Sequence, residues 1–283
     1  MNLLVVLVLV LVLVIERVEK RTITRTRTST RTMWARAFLG SILLLSFIAF
    51  PVIITQASDN AFLGGTQAYY AGDYLRSAEQ FRAAAVHQPA SGTLQNLGIA
   101  EWQRGSAGAA ILAWEQSLWV DPFNPASRGN LSFARKTSQL EAPDLIWYEV
   151  VSTWLPANWW AWTAAISFWM VLAISLLPGI LRRPKTIWHQ ALAALGLTVL
   201  LLTIPALMGA HRRSGLGFVL QKETALRLTP TQEAQVVSRL AAGEPARWLR
   251  SRGNYVLIRT SRTVGWIKRA QFGFLCPRTS VAE

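Results

Sequence analysis

The sequence predicts a multidomain membrane protein with three folded parts: an α-helical solenoid, a two-helix transmembrane hairpin and a C-terminal all-β barrel. Three observations lead to this fold class. Small and aromatic residues repeat every 33 positions in the first half of the chain, and two long apolar segments follow. Alternating and β-branched residues then fill the C-terminal part of the 283-residue chain.

The N-terminal region predicts a secretory signal. Residues 1–32 are of low complexity, a Leu/Val alternation followed by an Arg/Thr repeat, and we expect them to lie upstream of the true start at Met33. The alternative is a second signal-like or anchor segment. From Met33, a basic residue, an apolar run and small residues ending at Ala57 follow in the order of a signal peptide. Residues 33–57 are therefore predicted to be a cleaved signal peptide or an N-terminal anchor.

The repeat lies between residues 58 and 140. Gly65 and Gly98 stand at equivalent positions, as do Phe81 and Trp114, and as do Pro89 and Pro122. The glycines allow paired helices to approach closely, the aromatic rings fill the space between neighbours, and the prolines end the second helix of each unit. We expect two helical repeats followed by a capping helix.

This pattern resembles the tetratricopeptide repeat (TPR) family. The resemblance implies a solenoid that binds an extended or helical peptide on the inner face of the first helix of each repeat. The same side chains would otherwise pack on the protein's own hairpin or cap. The residues matching that face, which are the candidate partner-binding residues, are Phe62, Thr66, Tyr69, Tyr70, Gln95, Ile99, Trp102 and Gln103.

Residues 156–210 predict the transmembrane hairpin. Two apolar stretches without an acidic or basic side chain are each long enough to cross a bilayer. Their connection is too short to hold a domain, so the parts before and after the hairpin must lie on the same side. The connection carries Arg182, Arg183 and Lys185, and this positive charge predicts that it faces the cytoplasm. Residues 141–155, acidic and aromatic, are predicted to form a juxtamembrane segment at the interface.

Residues 216–278 predict strands separated by turns, and they resemble the bacterial SH3-like domains. The Gly265-Trp266-Ile267 strand is the most distinctive part of the match. The resemblance implies a small barrel in which Tyr255 and Trp266 belong to the core or to the edge of a ligand groove. The domain is basic, and we expect its arginines and lysines to form a solvated face; acidic lipid or wall polymer is the alternative partner. The basic side chains in question are Arg247, Arg250, Arg252, Arg259, Arg262, Lys268 and Arg269.

The sequence indicates a binding protein rather than an enzyme or a transporter. It contains no nucleophile motif, metal-ligand spacing or phosphate loop. The single cysteine excludes an intramolecular disulfide, and no acidic residue lies inside either span to relay protons. We expect no catalytic residue, cofactor or metal, and, for an extracytoplasmic protein, no nucleic acid partner.

The order of the parts resembles the BatE-like TPR proteins of the bacterial aerotolerance (Bat) operon. The resemblance implies a membrane-anchored adaptor or scaffold in the bacterial inner membrane, with its TPR and SH3-like domains outside the cytoplasm. It further implies von Willebrand A domain membrane proteins as partners, in aerotolerance or envelope stress. The alternative function is a sensor or anchor that binds the cell wall through its basic SH3-like domain.

Overall fold

The computed structural model describes residues 52–180 and 187–276. The predicted start at Met33, most of the predicted signal, the basic turn at Arg182, Arg183 and Lys185, and the last residues of the β domain lie outside this part. Residues 54–283 belong to one compact unit. The chain is mostly helical, with an antiparallel sheet at its C-terminal end.

In the described part of the chain, five helices come first and stack pairwise. Their bounds are α1 Val52–Tyr70, α2 Tyr74–His87, α3 Ser91–Gln103, α4 Ala107–Val120 and α5 Pro125–Thr137. The helices α2 and α4 each end two residues before a proline. Gly72 and Gly105, at equivalent positions of the repeat, both adopt a positive φ, which glycine tolerates best, as the chain turns from one helix into the next. Asp73 and Asn124 cap α2 and α5 by accepting backbone N–H groups at 3.0 Å.

Close packing inside each helix pair follows the repeat. The Phe81 ring lies against Gly65, where an added Cβ would come within 2.8 Å of it. The Trp114 indole lies against Gly98 in the same way. Phe81 and Trp114 are both only 2% exposed. The small residue and the aromatic residue of each repeat therefore contact each other, and both helix pairs contain this contact.

Two apolar helices follow a short one. Their bounds are α6 Trp147–Val151, α7 Ala157–Ile180 and α8 Ile187–Arg213. Both α7 and α8 are long and apolar enough to cross a membrane. They pack antiparallel, with Gly196 of α8 against Met170 and Val171 of α7. Few of the described side chains on these two helices are buried, and large apolar ones such as Ile166 and Leu202 are exposed.

The C-terminal part is a seven-stranded antiparallel sheet in the order β3-β2-β6-β5-β4-β1-β7. The strands are β1 Leu216–Val219, β2 Thr224–Arg227, β3 Val236–Leu240, β4 Pro245–Arg252, β5 Tyr255–Arg259, β6 Val264–Lys268 and β7 Phe272–Phe274. The barrel predicted from the sequence is not closed, since β3 and β7 form the two edges of the sheet. Helix α4 covers the β7 edge, where Leu112 lies over Gly273, so this edge is protected without closure.

The helices and the sheet share a core. Ile111 and Trp114 of α4 pack with Leu216 and Phe218 of β1 in one buried cluster. Gln116 donates a hydrogen bond to the carbonyl oxygen of Phe274 at 2.9 Å. The helical part and the sheet are therefore packed against each other through α4, and we call them together the head.

Candidate functional site

The parts of the chain meet at a cluster of charged side chains, which we call the joint cluster: Glu149 and Ser152 around α6, Arg212 and Arg213 at the end of α8, and Arg247 in β4. Glu149 is completely buried. Both of its carboxylate oxygens accept hydrogen bonds from Arg247, at 2.7 and 2.8 Å. Such two-pronged pairs between arginine and a carboxylate are strong and directional.

Two further contacts hold the Glu149 carboxylate, and a third fixes its partner Arg247. The backbone N–H of Ile146 donates to the carboxylate at 3.0 Å, and Arg212 Nε lies 3.4 Å from Oε1. Arg247 also donates to the carbonyl oxygen of Asp144 at 3.2 Å. A buried carboxylate requires such partners because removing its charge from water costs several kcal/mol. The juxtamembrane helix is thus tied to both the sheet and the end of α8.

Arg213 extends the cluster to the helical part. It is 9% exposed, donates to Ser152 Oγ at 3.2 Å, and its guanidinium lies 5.0 Å from the centre of the Trp119 ring on α4. An arginine over an indole face is favourable, more so away from water. The backbone packs tightly here too, since an added Cβ on Gly209 of α8 would collide with the carbonyl group of Tyr148.

A second buried acid lies beside the joint cluster. Glu115 on α4 pairs with Arg135 on α5, and Arg213 also acts on it electrostatically. Burial raises the pKa of Glu115 above its ordinary value of 4.5, while the two arginines work in the opposite direction. The folded protein therefore binds this proton more tightly than the unfolded chain does.

The raised pKa of Glu115 predicts a pH dependence of stability. Its favourable contribution is fully present below the ordinary pKa and is lost as the pH rises through the folded-state value. The unfolding temperature of the Glu115→Gln variant, relative to that of wild type, should therefore rise as the pH increases above the ordinary pKa of 4.5. Thermal unfolding in detergent measures this. A pH-independent difference between the variant and wild type would contradict the prediction.

The residues predicted to line the helical groove are distributed over two environments. Phe62 and Tyr69 are half-buried against the cluster around Phe81. Ile99 and Trp102 are half-buried against the core shared with the sheet, and the Trp102 ring centre lies 5.9 Å from that of Phe133 on α5. Tyr70 alone among these five is largely exposed, at 84%.

The two aromatic residues predicted for the β domain also differ. Trp266 is buried, with 5% exposed, and Arg250 stacks over its ring at 5.4 Å. Tyr255 instead lines a cleft of about 550 Å³ together with Lys268 and Arg269. The structure therefore gives Trp266 the core position and Tyr255 the groove-edge position.

One member of the predicted basic face is only partly exposed and is paired with a buried acid. Arg247 was expected to be a surface charge, but it holds the buried Glu149. The prediction was wrong because the partner is 98 residues away in the sequence. The hairpin offered a signal: Glu149 directly precedes the charge-free Val150–Leu181 stretch, and Arg212 and Arg213 follow the second span, so folding the hairpin brings opposite charges together.

The chain matches no protein-family model and no curated protein. Among the described residues, no group of three or more histidine, cysteine, aspartate or glutamate side chains is arranged to hold a metal ion. The described residues form a head of helices and a sheet, which charge pairs fix to the apolar helices α7 and α8.

Proposed function

We propose that this protein is a membrane-anchored adaptor or scaffold whose head lies on one side of the membrane and binds protein partners. The observation that carries the proposal is the antiparallel pair α7 and α8. Large apolar side chains of this pair are exposed, and the head is attached to one end of it. A soluble protein rarely leaves so many large apolar side chains uncovered, whereas a bilayer would cover them. The joint cluster then makes the anchor and the head one mechanical unit.

The finer identities are part of the same proposal. Two helix pairs that repeat the same glycine–aromatic contact support two TPR units, with α5 as the cap. The strand order and the buried Gly-Trp-Ile strand support an SH3-like domain extended by β1 and β7. On the resemblance to the BatE-like family, the partners are von Willebrand A domain membrane proteins of a bacterial inner membrane, and the process is aerotolerance or envelope stress.

The proposed topology is tested by reporters. Alkaline phosphatase fused after Glu283 should be active, since that enzyme works only outside the cytoplasm. A fluorescent protein inserted between Arg183 and Lys185 should fluoresce, because this turn is proposed to be cytoplasmic. An inactive phosphatase fusion on a stably expressed protein would overturn the extracytoplasmic placement of the head.

Partner binding is tested by crosslinking and co-purification of the full chain. Tyr70→Ala should reduce recovery of the von Willebrand A domain partner several-fold without changing the unfolding temperature, because the side chain is exposed. The matched control is Val86→Ala on α2, 77% exposed and outside the predicted face. Trp102→Ala is unsuitable, since this ring packs on Trp114 and Phe133. Equal recovery from both variants would speak against the helical groove.

A cell-wall-binding sensor or anchor is the second candidate function. The cleft at Tyr255 favours it, because Lys268 and Arg269 line this cleft and, among the described residues, no acidic side chain does. Sedimentation of the full-length protein with purified peptidoglycan separates the two functions. Binding to peptidoglycan that is weaker in the Lys268→Ala variant supports the cell-wall function. The adaptor function does not require such binding.

A further inference from the structure

A second cleft, of about 640 Å³, separates the loop after α5 from the sheet. One wall is the loop 138–144, and the other is formed by the turn before β4, the beginning of β4 and the turn after β5. Its volume is within the usual range for small-ligand sites, and such sites favour boundaries between folded parts. It is a different cleft from the one at Tyr255, and three arginines of the predicted basic face, Arg247, Arg259 and Arg262, line it.

The arginines on the sheet wall of this cleft outnumber the carboxylates that pair with them. Arg247 and Arg259 are directly opposite on the neighbouring strands β4 and β5. Like charges at directly opposite positions destabilise a sheet. Glu149 neutralises Arg247, and Glu223 pairs with Arg239, the third arginine of this wall. Arg262 is the fourth arginine of this wall. Within the described residues, no carboxylate pairs with Arg259 or with Arg262.

The loop wall carries the opposite charge. Glu141 and Asp144 line it, both are exposed, and neither carboxylate has an ion pair in the described part of the chain. The third acid of the cleft, Glu244, accepts a hydrogen bond from the backbone N–H of Ala241 at 3.1 Å. Arginines and carboxylates without an ion pair in the described part of the chain therefore line the same cleft.

We propose that this cleft binds a short peptide that carries both a carboxylate and an ammonium group. The carboxylate would accept hydrogen bonds from Arg259 and Arg262, and the ammonium group would lie against Glu141 and Asp144. Arginine suits the first role because its planar fork matches a carboxylate. The site stands independently of the groove at Tyr70 and of the membrane topology.

The chemistry fits two sources, a stem peptide of the cell wall or a terminal segment of a protein. The full-length protein in detergent would therefore be titrated with two probes, soluble muropeptides and the synthetic peptide Glu-Ala-Lys with free termini, by calorimetry up to millimolar concentrations. Binding of either probe supports the site, and the tighter one identifies the source. Failure of both to bind overturns the proposal and leaves the adaptor function untouched.

Variants distinguish the cleft from diffuse charge. Arg259→Ala and Asp144→Asn should each weaken binding about tenfold or more, since each removes a charged partner of the ligand. Arg252→Ala is the matched control, because this arginine is exposed on the same sheet and lines neither cleft. Arg247 is left intact because it holds Glu149. An equal loss with Arg252→Ala would show that the sheet attracts anions without a defined site, which also overturns the proposal.

Discussion

Replacing Arg247 with methionine is expected to lower the free energy of unfolding by about 3–5 kcal/mol. The substitution keeps a long side chain but removes both hydrogen bonds to the completely buried Glu149. The remaining arginine, Arg212, lies 3.4 Å away, so the carboxylate keeps only a longer ion pair and the Ile146 N–H. Thermal unfolding of the full chain in detergent, followed by tryptophan fluorescence, should show a fall of at least roughly 6 °C.

The Glu149→Gln variant should lose less stability than the Arg247→Met variant. Glu149→Gln leaves Arg247 without its carboxylate, but that side chain is 23% exposed and retains access to water. We expect a loss of about 1–3 kcal/mol. The double variant should be more stable than the sum of the two single effects predicts, because it contains no uncompensated buried charge.

Arg252→Met is the control for the removal of an arginine from β4. This residue is exposed at the end of the same strand, and the change should stay within about 0.5 kcal/mol. If Arg247→Met were equally mild, the carboxylate would have to be reached by water or held by Arg212, and the joint would not depend on the sheet. A large loss would instead show that the sheet and the juxtamembrane helix stabilise each other.

The sequence was sufficient for features that depend on local chemistry. Glycines follow the ends of α1 and α3, prolines follow α2 and α4, and side chains cap α2 and α5. The 33-residue spacing identified which residues pack together, as Phe81 and Gly65 do. The two long apolar helices follow from length and composition alone. Each of these features is encoded within a few turns of the chain, so periodicity and turn residues reveal it.

Features made by distant segments were not predictable in this way. Helix α4 is apolar on the side that faces α3 and also on the side that faces the sheet, and a single sequence does not say what covers the second side. Ile111 could have faced a partner protein, but it packs on Gly243 in the turn before β4. The same limitation applied to Arg247, whose charge looks like that of any surface arginine until Glu149 is placed beside it.

The predicted site residues illustrate the difference between residue type and environment. Aromatic side chains at the positions of a binding face are equally suitable for packing on a neighbouring helix, and Trp102 does so with Phe133. Tyr70, in contrast, is 84% exposed. The largely exposed aromatic side chain among these predicted residues therefore lies in the first helix pair.

Replacing Gly108 with alanine is expected to destabilise the head by about 1–3 kcal/mol through steric overlap. Gly108 lies in the first turn of α4, and an added Cβ would come within 2.5 Å of the carbonyl oxygens of both Val219 and Leu220. These are backbone atoms at the end of β1, so no rotation of a side chain can relieve the contact. The sheet would have to move away from α4, and their shared core would open.

Gly129→Ala is the matched control, because nothing lies within 4 Å of the Cβ that it would add to α5. Alanine favours the helix over glycine, so this variant should gain about 0.5–1 kcal/mol in stability. The same glycine-to-alanine substitution is thus expected to change stability in opposite directions at the two positions. This difference separates the effect of helix propensity from that of packing between α4 and the sheet. If both variants were stabilised, α4 and the sheet would not be in contact in solution, and the head would consist of two independent parts. A loss of stability confined to Gly108→Ala would instead require that the helices and the sheet unfold together.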